Sequence, residues 1–148
     1  MEHNIQMRKA TEKDFGSVFR LIKEFSIFIK TPEKVSITVD QMILDKDFFQ
    51  CLVAVDNDDI VGFATYFFAY YSWTGKSLYM DHLYVGKDYR GKKIGSKLFD
   101  AVIDIGRAEK CTRIRWQVSK WNIKAIDFYK SRGAVIDEVE INCDLMLK

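Results

Sequence analysis

The chain has 148 residues, 48% hydrophobic, 14% aromatic and 30% charged, with a net charge of +2. That balance describes one folded domain with a substantial core and excludes a disordered chain. It also excludes a general nucleic-acid binder, which needs a strongly basic face, and no apolar run approaches the length of a membrane span.

IQMRKA near the start alternates and reads as a strand. Thr11 followed by Asp14 marks a helix start, after which Phe15, Val18, Phe19, Ile22, Phe25 and Ile29 recur at helical spacing. The chain turns at Pro32, and VDQMILDKDFF suggests a second short helix. FFQCLVAVD and IVGFATYFFAYY, separated by Asn57-Asp58-Asp59, form a hairpin signature of two β-rich runs around turn residues. SLYMDHLYV follows the SWTGK turn as a third strand. A helix through Leu98, Val102 and Ile105 comes next, then RIRWQVS as a strand and NIKAIDFYKSRG as a helix closed by Gly133. EVEINCDLML reads as a terminal strand. The order implies an α/β domain over residues 1–148, a mixed sheet with helices on both faces.

Cys51, Cys111 and Cys143 are widely spaced and odd in number, so they form neither a disulfide framework nor a zinc site. Each is expected to be a buried structural thiol in a reducing, cytoplasmic setting. MEHNIQMRKATEKD carries no apolar signal core. His3 is expected to play no part.

YRGKKIGSKL, residues 89–98, gathers Arg90, Lys92, Lys93 and Lys97 around Gly91 and Gly95 where the third helix begins. One reading is a solvated turn with a charged helix start. The other is an anion cradle, since a helix start exposes unpaired N–H groups and the positive end of the helix dipole. Cations there are misplaced for the helix itself. A Walker loop fails, because Gly91 to Gly95 is one residue too short and Ser96 precedes Lys97. The G-x-G-x-x-G dinucleotide fingerprint fails for want of a third glycine. VGFATYFF at 61–68 has Val61 and Thr65 where an RNA-binding sheet carries a cation and an aromatic, and reads better as a buried strand.

A fourth pattern fits. LYVGKDYRGKKIGSKL resembles the acyl-CoA pyrophosphate loop of the GNAT N-acetyltransferases, Arg/Gln-x-x-Gly-x-Gly/Ala, with Lys93 where that family usually has glycine. WNIKAIDFYKSRGA at 121–134 is similar to the family's second signature, and RKATEKDFGSVFRLIKEF at 8–25 to its first strand and helix. LIKEF, VGFATYFFAYYSWTGKSLYMDHLYV and YRGKKIGSKL resemble the diamine (spermidine/spermine) acetyltransferase branch most closely. The likeness fades beyond Ala134.

The resemblance implies the GNAT fold and acetyl-CoA as co-substrate. It implies that Arg90, Gly91, Lys92, Lys93, Ile94, Gly95 and Ser96 hold the diphosphate, and that Leu83, Tyr84 and Val85 pair with the pantetheine arm like an added strand. A backbone N–H there would polarise the thioester carbonyl, as oxyanion donors do. Asn122 would contact the CoA arm and Tyr129 would protonate the departing thiolate. Asp81 would be the base, directly or through water, since the amine arrives protonated. Phe28, Asp81 and His82 would meet the acceptor, His82 being a base, a substrate contact or a satisfied core histidine.

The function so implied is acetyl transfer to a primary amine of a small molecule, diamine-like or amino-acid-like, by direct attack. The alternatives are a CoA-binding or protein-interaction module without turnover, and an acetyltransferase acting on a protein amine. No metal is implied, for want of ligand spacing. The resemblance favours a homodimer, which would also cover an exposed terminal strand. Two acids of the polyamine branch are missing, with Ile29 and His82 in their places. An acceptor less cationic than spermine is therefore expected.

Overall fold

The structure, a computed structural model, describes residues 4–148. His3 lies outside the described residues. The chain divides into two compact units, one ending at Gln117 and the other beginning at Val118.

The first unit is a five-stranded sheet in the order β1-β2-β3-β4-β5. β1 (Ile5–Lys9), β2 (Gln50–Asp56), β3 (Asp59–Tyr71) and β4 (Gly75–Val85) are antiparallel neighbours, and β5 (Ile114–Arg115) runs parallel to β4. A parallel step needs a crossover, and α3 (Ile94–Ala108) supplies it. Asn57, in the turn between β2 and β3, takes the left-handed conformation at φ 56°, which asparagine tolerates better than most residues.

α1 (Phe15–Phe28) and α2 (Val39–Leu44) cover one face of the sheet. Their Phe15, Val18, Leu21 and Met42 share a core with Val53, Val55, Phe63 and Tyr84. At the start of α1, Asp14 accepts the Thr11 N–H at 2.7 Å and two bonds from the Arg8 guanidinium at 2.7 and 3.0 Å. This ties the end of β1 to the helix. α3 covers the opposite face, since Gly62 and Phe63 are successive on β3 and so point to opposite sides. A Cβ on Gly62 would lie 3.1 Å from the Tyr84 carbonyl oxygen and 3.2 Å from Leu98 Cδ1. Only glycine lets α3 come this close to the end of β4.

The second unit contains α4 (Ile123–Ser131), capped by Asn122, whose Oδ1 accepts the Ala125 N–H at 3.3 Å. Gly133 follows at φ 91°, the left-handed stop expected from sequence.

Three expectations need correction. EVEINCDLML forms no strand, and Val139, Ile141, Leu145, Met146 and Leu147 are exposed. Its alternation assigns two faces, but a strand exists only where another strand completes its ladder. RIRWQVS keeps just Ile114 and Arg115 as strand, for the same reason. Of the cysteines, Cys51 is buried, Cys111 half-buried and Cys143 exposed, the last within that unpaired tail. Burial holds the Cys51 thiol up at about 12, so it is inert as a nucleophile at neutral pH.

Candidate active site

The C-terminal end of β4 organises the site. Its register against β3 shifts at Thr65/Tyr66, where Thr65 faces His82 and Tyr66 faces Met80. Asp81 is therefore an extra residue, a β-bulge. The His82 N–H bonds the Thr65 hydroxyl at 3.3 Å. Beyond the bulge, the Gly86 N–H bonds the Val61 carbonyl at 2.8 Å. The alternation of an antiparallel ladder then turns the backbone groups of Tyr84 toward β3 and those of Leu83 and Val85 away from it. β5 pairs only with Leu78 and Tyr79. Among the described residues, Leu83 and Val85 thus present N–H and C=O groups on an edge without a strand partner.

The trio expected to meet the pantetheine arm is split by this geometry. Leu83 and Val85 offer backbone groups, whereas Tyr84 offers its side chain to the α1 face. There Phe25 stacks on Tyr84 at 4.9 Å between centroids and meets the His82 ring edge-on at 4.8 Å, while Phe28 lies 6.3 Å from Tyr84. His82 Nδ1 stands 3.8 Å from Asp81 Oδ2, and both side chains reach solvent. The bulge brings this carboxylate and imidazole to one point beside aromatic rings, where an amine can be held and relieved of a proton.

Past β4, Lys87–Tyr89 makes a single turn of 3-10 helix and the basic loop leads into α3. Gly91 sits at φ 79° with nothing within 4 Å of a would-be Cβ, so its backbone is open to solvent on that side. Lys93 precedes α3 at φ 62°, in the left-handed conformation that glycine adopts without strain. The first turn of α3 holds no acidic residue and no side chain caps it. The N–H groups of Ile94, Gly95 and Ser96 thus begin a 15-residue helix with its positive end uncompensated. Lys92 lies over the Tyr89 ring at 5.2 Å. Arg90 turns away from its neighbours, and its guanidinium rests 4.6 Å over Phe28 and 5.4 Å over Tyr84. The chemistry of these residues fits an acyl-CoA diphosphate: free N–H groups at the start of α3 stand in a loop that carries Arg90, Lys92 and Lys93, and the outward edge of β4 offers the ladder groups that an amide-bearing arm needs.

In the second unit, Tyr129 is the buried residue of α4 and meets Phe128 edge-on at 5.4 Å. Burial raises its phenol, so it carries its proton at neutral pH.

Glu24 escaped the sequence reading, as did the hydroxyl of Tyr84. Tyr84 donates to Glu24 at 2.6 Å, and Glu24 also accepts the Lys87 N–H at 3.2 Å. The available signal was a carboxylate at 24 on the same helical stripe as Leu21 and Phe28, where an apolar residue is the rule. A shallow cavity of 280 Å³ lies away from these residues, beside Thr11 and Cys51, and one of 230 Å³ borders Glu24, Gly86 and Lys87.

Residues 15–134 match the acetyltransferase (GNAT) family. The chain belongs to that family. It is 34% identical over 143 residues to the thialysine N-epsilon-acetyltransferase of Sus scrofa, covering 88% of this chain and 84% of the relative. It is also 34% identical over 141 residues to the human spermidine/spermine N(1)-acetyltransferase-like protein 1, covering 88% of this chain and 20% of that longer protein. An aminoglycoside acetyltransferase from a soil metagenomic sample shares the fold, with a TM-score of 0.77, 23% identity and 97% of each chain covered. This GNAT chain is an N-acetyltransferase of the diamine acetyltransferase-like kind, and its mixed sheet with helices on both faces is the family's α/β fold. Among the described residues, no cluster of three or more His, Cys, Asp or Glu could hold a metal, and no helix is long and apolar enough to cross a membrane.

Proposed function

We propose that this acetyltransferase moves an acetyl group from acetyl-CoA to the primary amine of a small molecule, without a covalent enzyme intermediate. The observation that carries the reading is the conjunction of β4's unpaired outward edge with a cationic, glycine-bearing turn into α3. Acetyl-CoA supplies the activated thioester. Leu83 and Val85 bind the pantetheine arm through the backbone, and an N–H on this edge polarises the thioester carbonyl, a contribution on the order of 3 kcal/mol. Gly91, Lys92, Lys93, Ile94, Gly95 and Ser96 take the diphosphate, with Arg90 assisting from the β4 side. Asp81 and His82 remove the ammonium proton, in part through water. Asn122 contacts the CoA arm and Tyr129 protonates the thiolate.

The acceptor is an amine with a less cationic far end than spermine. Ile29 and His82 stand where acids would capture a polycation, and Glu24 is engaged by Tyr84 and Lys87. An amino-acid-like acceptor fits, as the thialysine relative's name suggests for that protein. Residues 1–148 act as a single acetyltransferase domain, supported by a family match that spans both compact units. The enzyme is cytoplasmic and homodimeric, and the exposed apolar residues between Val139 and Leu147 supply surface for association.

Thiol release from acetyl-CoA with spermine, a short diamine and a lysine-like amino acid, with products weighed by mass spectrometry, tests the reading. A lysine-like or short acceptor should exceed spermine in kcat/KM. Spermine winning by a wide margin restores a plain polyamine acetyltransferase, and no thiol release with any amine leaves a binding module.

A further inference from the structure

Resting on the assignment of Arg90 to the donor cradle, we propose that Glu24 and Tyr84 are positioning residues that hold the Arg90 guanidinium at the diphosphate end of the site. The three form a directed chain. Tyr84 has one hydroxyl hydrogen and gives it to Glu24 Oε2 at 2.6 Å, so its lone pairs face the arginine, whose Nη2 donates at 3.0 Å. Arg90 Nε reaches the Val85 carbonyl at 3.5 Å, across the outward edge of β4. The flat guanidinium is further held over the rings of Phe28 and Tyr84. Tyr84 is itself locked by stacking on Phe25 at 15° between planes. Burial, reinforced by the bond to Glu24, lifts the phenol to about 12, so this donor keeps its proton at neutral pH.

The consequence is preorganisation. An arginine on a loop has many rotamers, and freezing it on binding opposes capture of an anion. Here the freezing is done in advance by Tyr84 and by a carboxylate from α1 that lies sixty residues before that tyrosine in sequence. The engaged groups are Nε and Nη2, and the rest of the fork remains suited to phosphate oxygens. Glu24 also anchors the Lys87 N–H, which fixes the turn from which Arg90 departs.

The test compares acetyl-CoA with S-acetylpantetheine, the same thioester without the diphosphate. Tyr84→Phe and Glu24→Gln should each raise KM for acetyl-CoA roughly 3–10-fold, with kcat and the KM for S-acetylpantetheine unchanged. The double variant should be no worse than Tyr84→Phe, because a glutamine oxygen at 24 still accepts the Lys87 N–H and the remaining effect of Glu24 runs through the tyrosine. An equal loss with both donors, no loss with acetyl-CoA, or additive losses in the double variant would overturn the proposal. Arg90→Gln separates the two layers of the argument. If it raises KM for acetyl-CoA alone while Tyr84→Phe does not, the cradle stands and the positioning role falls. If it leaves both donors untouched, Arg90 is no part of the cradle and the proposal falls with it.

Discussion

Lys93 allows backbone strain and charge to be separated at one position of the cradle. It is held at φ 62°, ψ 18°, where an L-residue costs about 1–2 kcal/mol relative to its preferred backbone and glycine costs almost nothing. Lys93→Ala keeps the strain and removes the charge, whereas Lys93→Gly removes both. Lys93→Ala should therefore leave stability within about 0.5 kcal/mol of the parent. Lys93→Gly should be about 1 kcal/mol more stable than Lys93→Ala, or roughly 2–4 °C in Tm for a chain of this size. For CoA binding the two variants should behave alike. One unit charge about 6 Å from another in a water-like dielectric contributes about 0.7 kcal/mol, and a diphosphate carries more than one. Calorimetric titration with CoA should thus show affinity falling roughly 3–10-fold in both, with the loss shrinking as salt rises toward 0.5 M. Equal melting temperatures for Ala and Gly would refute the strain argument. Unchanged CoA affinity in both would show that Lys93 does not face the donor.

Tyr129→Phe should leave CoA affinity nearly intact and lower kcat about 10–1000-fold, the loss of one acid–base group; unchanged turnover in a steady-state assay would remove the tyrosine from the chemistry. Gly62→Ala should cost about 1–3 kcal/mol in urea unfolding, because its Cβ must displace the Tyr84 carbonyl or Leu98, and should raise KM for acetyl-CoA as the end of β4 shifts; a parental stability would mean the close approach is not strained. Asp14 is held at about 2, first by the Arg8 hydrogen bond and then by Thr11, against an unfolded value near 3.9. Its stabilisation is therefore present above about pH 4 and is lost as pH falls through 2. Arg8 is half exposed, so screening limits the contribution to about 1 kcal/mol. Asp14→Asn should destabilise by about that much at pH 7 and by almost nothing at pH 2, and a deficit independent of pH would contradict the ion pair.

What the sequence by itself determined is what neighbouring residues decide among themselves. Phe15 to Phe25 repeat at the helical period, Asn57-Asp58 make a tight turn whatever surrounds them, Gly133 ends a helix through its own φ, and the run from Arg90 to Gly95 places cations and a glycine at a helix start. These are local properties of backbone conformation and side-chain spacing, and α1, the β2–β3 hairpin, α3 and α4 followed from them. The tertiary structure decided whatever needs a distant partner. EVEINCDLML alternates as a strand should, yet pairing requires a second strand, and none completes its ladder among the described residues. The bulge at Asp81 arises from the register of β4 against β3, where Thr65 meets His82 and Tyr66 meets Met80, and this brings an acid and an imidazole to one point. Tyr84 looks like a core aromatic in a strand, and Glu24 is a carboxylate on an apolar helical stripe whose partner the sequence does not name. Only when α1 lies across the end of β4 do they stand 2.6 Å apart, because hydrogen bonds act over ångströms while sequence patterns record nothing about which side chains the fold will bring within that range.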